Sequence, residues 1–275
     1  MGGAFSFLPS AMNVSLAGTR AIVCGSSQGI GKAAAIELAS LGATVVLLAR
    51  DATKLAAVQR ELSNSAGQNH SYLAVDFSDL AAVERTARQI ASDTTKYTGH
   101  ILINNAGGPP GGPILAATTA DFEAAFRSHV LASHMLTQAI VPAMKAVKHG
   151  RIINVISTSV KAPIAGLGVS NTIRGAMASW AKTMANELGP FGITVNNVLP
   201  GFTKTDRLTS LVKAKATKAA TSEDAVSAEM LATIPAGRFA EPEETAAAIA
   251  FLASSAAAYI SGTNLPVDGG RLPVL

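Results

Sequence analysis

Seven short apolar stretches recur along the chain, at 20–25 (RAIVCG), 43–50 (ATVVLLAR), 71–77 (SYLAVDF), 100–107 (HILINNAG), 150–157 (GRIINVIS), 192–201 (GITVNNVLPG) and 262–270 (GTNLPVDGG). Each is rich in β-branched residues or Leu and is bounded by Gly, Pro, Asn or Asp, the mark of a buried strand. Between them, 30–41, 51–63, 79–92, 120–147, 169–188 and 242–254 carry helical patterns long enough to cross over a parallel sheet. Strand and helix alternate throughout, which predicts an α/β fold: a doubly wound parallel sheet in three layers, one domain over 14–275 after an extension at 1–13. In such a sheet the ligand crevice lies beyond the carboxyl ends of the strands, and the motifs below fall there. Residues 202–236, rich in Lys, Ala and Thr, predict a lid-like excursion holding one or two helices.

Composition narrows the functional classes. Of 275 residues, 48% are hydrophobic and 15% charged, as suits a sheet covered on both faces. The net charge is only +4, and the Lys and Arg residues are scattered, which argues against a nucleic-acid partner. The single cysteine, Cys24, permits neither a disulfide framework nor a cysteine-based zinc site, so no metal is expected and a reducing cytoplasm is the expected home. No stretch has the length of a signal peptide core or a membrane span, so neither export nor membrane insertion is expected. Met1-Gly2 with Ser6 matches a loose N-myristoylation pattern, relevant only in a eukaryotic host.

The first strand runs directly through Gly25-Ser26-Ser27-Gln28-Gly29-Ile30-Gly31 into a helix. Gly25 suits a turn closed to other residues, Gly29 a close backbone approach to a pyrophosphate, and Gly31 tight packing of helix on strand. The helix N-terminus would offer unpaired N–H groups to the phosphates. The glycine spacing reverses that of the common dinucleotide fingerprint, and turn geometry alone can also require glycines; the flanking strand and helix favour a nucleotide site.

Together with Asn104-Asn105-Ala106-Gly107, with Pro200-Gly201 followed by Thr203 and Thr205, and with VDGG at 267–270, this turn resembles the short-chain dehydrogenase/reductase family, near its 3-oxoacyl-carrier-protein reductase branch. The resemblance covers roughly residues 14–270 and implies a Rossmann-type fold. It places Gly25, Ser27, Gln28, Gly29, Ile30, Gly31, Asn105, Ala106, Gly107, Pro200, Gly201, Thr203 and Thr205 against a nicotinamide cofactor. Asp76 matches the residue that addresses the adenine amino group, although a helix N-cap is an alternative use. Ala49 stands where an acid would bind the ribose 2′-hydroxyl, and Arg50 follows, so NADP(H) is favoured over NAD(H), with a solvent-facing arginine as the alternative.

Members of the family use Asn, Ser, Tyr and Lys to move the proton that accompanies hydride transfer. Ser157 matches the serine, with a turn serine as the alternative. Ser170 stands at the tyrosine position, Arg174 at the lysine position, and His129 aligns with the asparagine. An aliphatic alcohol is a far weaker acid than a phenol, and arginine stays protonated, so neither replacement donates the proton. Arg174 can hold ribose hydroxyls, as the family lysine does, or a carboxylate substrate. His129 offers an imidazole titrating near neutrality, or else a buried histidine satisfying backbone groups. Lys161, four residues after Ser157, reads as a solvated loop lysine, with a lysine of the substrate cleft as the alternative, and Ser159, His134 and Tyr97 lack a distinguishing spacing.

The expectation is therefore an NADP(H)-dependent oxidoreductase of a small carbonyl or alcohol substrate with a non-standard proton relay. The alternative is a catalytically silent dinucleotide binder acting as a sensor or assembly subunit, and a methyltransferase is disfavoured. The resemblance further implies a homotetramer or homodimer through helices 120–147 and 169–188 and the last strand. Trp180, Met184 and Leu188 form a stripe facing either a partner or the protein's own sheet. The tail RLPVL is expected over a neighbour's cleft.

Overall fold

The computed structural model describes residues 12–93 and 95–274; the Gly2 modification site and most of the 1–13 extension lie outside that range. Seven strands form one parallel sheet: β1 (Thr19–Cys24), β2 (Thr44–Ala49), β3 (Ser71–Ala74), β4 (Gly99–Asn104), β5 (Gly150–Val155), β6 (Ile193–Pro200) and β7 (Asn264–Val267). Their order is β3-β2-β1-β4-β5-β6-β7. The order reverses direction between β1 and β4, which opens a crevice at their carboxyl ends.

Side-chain alternation along each strand feeds two cores. Ala21, Val23, Val45, Leu47, Ile101 and Ile103 face one core, shared with α1 (Gly29–Ser40), α2 (Ala52–Glu61) and α9 (Pro242–Ala253). Ile22, Cys24, Leu48, Leu102 and Ile152 face the other, covered by α3 (Leu80–Ala91), α5 (Ala132–Val147) and α6 (Gly168–Leu188). Strands buried on both faces explain the unbroken apolar runs.

Helix starts follow local capping chemistry. Asp51 caps α2 by accepting from the Lys54 N–H at 3.0 Å, and Thr118 with Asp121 forms a capping box on α4 (Thr119–Phe126). The single helix expected over 120–147 is instead interrupted: α4 passes through a wide π turn, Arg127–Leu131, into α5. Together Thr119–Val147 is long and apolar enough to cross a membrane, but α5 contributes Leu136, Ile140 and Met144 to the core on the sheet. A periodicity count does not register the extra residue of a π turn, and His129 lies inside it.

The excursion at 202–236 contains two helices, α7 (Asp206–Ala219) and α8 (Glu223–Ala232), closed on a small core of their own around Leu208, Val212, Val226 and Met230. The Trp180, Met184 and Leu188 stripe packs against the protein's own core. In the tail, the Arg271 guanidinium stacks 4.3 Å from the Phe202 ring centroid of the same chain.

Candidate active site

The turn after β1 is built for close approach. Gly25 (φ 61°) and Gly29 (φ 56°) occupy left-handed backbone that L side chains rarely adopt. A Cβ on Gly31 would sit 2.1 Å from the Gly25 carbonyl oxygen and 2.7 Å from Asn105 Nδ2, so only glycine lets α1 abut the strand end. Asn105 Nδ2 donates to the Cys24 and Gly25 carbonyls, each at 3.4 Å, clasping the end of β4 to the turn. Gln28 precedes α1 without a side-chain cap; its Oε1 instead accepts from Lys54 Nζ at 3.3 Å. The first N–H groups of α1 thus lack a capping side chain and suit an anion. Ser27 and Ile30 are half-buried beside them.

A second loop folds over this turn. Beyond Pro200, Thr203 Oγ1 donates to the Gly201 carbonyl at 3.3 Å and Thr205 Oγ1 to the Thr203 carbonyl at 3.2 Å. Thr205 Cγ2 lies 3.1 Å from where a Gly29 Cβ would stand. Positive-φ glycines, uncapped helix N–H groups and threonines in one cradle fit a dinucleotide pyrophosphate.

At the outer end Arg50 is exposed, with Lys54 on the first turn of α2. Lys54 is a cation that the sequence reading passed over; its only signal was its position within one turn of Arg50. Asp76 Oδ1 accepts from the Ser78 N–H at 2.9 Å and from its hydroxyl at 2.8 Å. The Ser78 N–H chiefly, with its hydroxyl and the charge of Arg50 assisting, holds the Asp76 carboxyl below the usual range. The N-cap of α3 is Asp79, which accepts from the Ala82 N–H, so the alternative use of Asp76 falls away.

The reacting end gathers at the carboxyl ends of β4 and β5. Ser157 precedes a short turn, and its Oγ accepts from the Ser159 N–H at 3.0 Å. It serves the turn with a lone pair and keeps its proton free for a ligand oxygen. Ser170 and Arg174, four residues apart on α6, are both buried. Arg174 is 7% exposed. Its Nη1 donates to the Val155 carbonyl at 3.1 Å and its Nη2 to the Ala106 carbonyl at 3.5 Å, while Nε has no partner. Burial chiefly, and then the charge of Arg207, lowers its pKa to about 10, so it remains a cation at neutral pH.

Of the two uses expected of His129, the structure shows the buried histidine and not the near-neutral imidazole. It is 3% exposed, and its Nε2 is unpartnered. Burial first, and the Arg174 charge second, push its pKa down to about 3. A neutral ring therefore faces the site, as burial beside a cation requires.

Arg207, on the first turn of α7, is a second site residue that the sequence reading missed. It donates from Nη2 to the Pro109 carbonyl at 2.8 Å, and the guanidinium lies 3.3 Å from where a Gly108 Cβ would stand. No sequence spacing links it to the NNAG loop. A third unread feature is a ladder of amides: Asn104 donates to Asn154, Asn154 to Asn197 and Asn197 to Asn264, each at 2.8 Å. The four are register partners across β4, β5, β6 and β7. Of the other candidates, His134 accepts from Trp180 at 3.4 Å, Tyr97 lies under Arg20, Lys161 is exposed, and Ser159 is buried with an unpartnered hydroxyl. Burial pushes the Cys24 thiol up to about 12, far from a reactive thiolate.

Comparison with known proteins matches this arrangement. Residues 25–271 fit the family model described as enoyl-(acyl carrier protein) reductase. The 3-oxoacyl-(acyl-carrier-protein) reductase FabG of Vibrio harveyi is 33% identical over 263 residues, covering 95% of this chain and 100% of that one. L-sorbose reductase from Gluconobacter frateurii, solved with NADPH and L-sorbose, superposes with a TM-score of 0.88 at 30% identity, covering 96% of this chain and 100% of that one. A 3-oxoacyl (acyl-carrier-protein) reductase from Agrobacterium tumefaciens C58, solved with NADP, gives 0.82 at 26% identity over 94% of this chain and 95% of that one. With the parallel sheet, the glycine turn and the NNAG loop already in register, these likenesses show that the chain belongs to the short-chain dehydrogenase/reductase family.

Proposed function

We propose that this chain is an NADP(H)-dependent oxidoreductase that interconverts a carbonyl and a hydroxyl group in a small molecule. The observation that carries the reading is the cradle in which Thr205 closes on Gly29 and Asn105 clasps the glycine turn, with Ser157 just beyond β5, the strand next to β4. Bound there, the cofactor would supply or accept the hydride. The turn Gly25–Gly31 and the α1 N-terminus would hold its pyrophosphate, Asp76 its adenine, and Arg50 with Lys54 a 2′-phosphate. Both neighbours named with a nicotinamide cofactor carry the phosphorylated form.

Ser157 donates a hydrogen bond from its free hydroxyl to the carbonyl oxygen and orients it, keeping its proton. Arg174, cationic and desolvated, lends the reacting end a positive field, which a low-dielectric setting strengthens. Ser170 is too weak an acid to replace a phenol and His129 is neutral, so water in the cleft supplies the proton. Losing a positioned general acid costs about 10²–10⁴ in rate. Helices α7 and α8 act as the lid, and the protein works as a homo-oligomer in the cytoplasm.

The test is NADPH and NADH oxidation against a broad carbonyl panel, with binding followed by cofactor fluorescence. Expected are slow, Ser157-dependent turnover and a preference for NADPH that Arg50→Ala removes by about tenfold. Tight NADPH binding without turnover of any carbonyl would overturn the reading in favour of a silent dinucleotide binder. Joint Ser170→Tyr and Arg174→Lys replacement should raise turnover if only the proton donor limits the rate.

A further inference from the structure

Two guanidinium groups bind carbonyls of the 106–109 loop without an acidic partner. Among the described residues five ion pairs form, Arg20–Asp93, Lys32–Glu61, Arg88–Glu84, Lys204–Glu241 and Arg238–Glu244, and none engages Arg174 or Arg207. Arg174 is nearly sealed from water, yet only two backbone carbonyls receive its five donors, and Nε is unpartnered. Arg207 is tied by the Pro109 carbonyl at the other side of the same loop. A buried cation without a counterion is expensive, and a second cation beside it adds repulsion. Such an arrangement is relieved by an anion, and planar guanidinium forks match a carboxylate with paired hydrogen bonds.

The anion can come from the cofactor or from the substrate. The cofactor's phosphates have their own cradle at the glycine turn and the Arg50–Lys54 pair. Arg174 instead reaches the carbonyls of Ala106 and Val155, at the ends of the strands that bring Asn105 and Ser157 to the site. Resting on the oxidoreductase reading above, we infer that Arg174 and Arg207 form a subsite for a negatively charged group of the substrate, so that the preferred carbonyl compound is an oxo acid. Hydride then adds to the carbonyl carbon, the proton from water goes to its oxygen, and the carboxylate remains unchanged between the two guanidiniums.

The experiment compares 2-oxobutyrate, acetoacetate and 4-oxopentanoate with their methyl esters, using NADPH. At least one acid should exceed its ester in kcat/KM by about tenfold. Arg207→Gln, at an exposed position, should raise KM for that acid by about tenfold while leaving the Kd for NADPH within about twofold. Arg207→Lys should retain part of the preference. Esters reduced as well as acids, or a loss of NADPH affinity matching the loss for the acid, would overturn the subsite. If no carbonyl compound is reduced, thermal melting with butyrate against butyramide at constant ionic strength decides separately. Stabilisation by butyrate alone, lost in Arg207→Gln, supports the anion subsite although the oxidoreductase reading fails. Equal effects of the two refute it.

Discussion

Protonating His129 should destabilise the fold in acid, and the size of the effect follows from its surroundings. The ring is 3% exposed, in the π turn between α4 and α5, beside a buried guanidinium. In the unfolded chain it takes a proton near 6.5, whereas in the fold it does so only near about 3. Between those values the unfolded state binds more protons, so stability is complete above 6.5 and is lost as the pH falls toward 3. At about pH 4.5 the loss assigned to this one residue is about 3 kcal/mol. His129→Asn keeps a polar group there and removes the titration. Urea unfolding of both proteins, at one protein concentration and at about pH 7.5 and 4.5, isolates the term, because other titrating groups are common to both. The wild type should lose about 3 kcal/mol more than the variant on acidification. Equal losses would refute the account and would mean that the ring reaches water or a counterion.

Gly31→Ala places a Cβ 2.1 Å from a carbonyl oxygen, and should cost about 1–3 kcal/mol of stability and weaken NADPH binding by at least about tenfold, seen in melting and fluorescence titration. Unchanged values would show that α1 can shift away from β1. Asn154→Ala removes the middle rung of the amide ladder, leaving Asn104 Nδ2 and Asn197 Oδ1 buried without partners. Urea unfolding should register about 3 kcal/mol, and a loss below about 1 kcal/mol would mean that water replaces the rung.

Much of the fold was legible because burial writes a period into the chain. β2 was expected at 43–50 and occupies Thr44–Ala49, since a strand covered on both faces must be apolar throughout. β3 stops at Ala74 rather than 77, because pairing at the sheet edge ends there, which composition does not encode. The candidate cofactor cradle was legible in part. Glycines have few substitutes where φ is positive, so Gly25 and Gly29 announce themselves, whereas Lys54 depends on how α2 leaves β2.

By itself the sequence determined the alternation of strands and helices and the glycine turn. Those are properties of local periods and of residue types. Only the tertiary structure decided that His129 is buried and neutral, that Arg174 and Arg207 bind carbonyls of one loop, and that four asparagines join across four strands. Charge states and pairings depend on which groups packing brings together and shields from water, and in those cases the partners lie tens of residues apart along the chain.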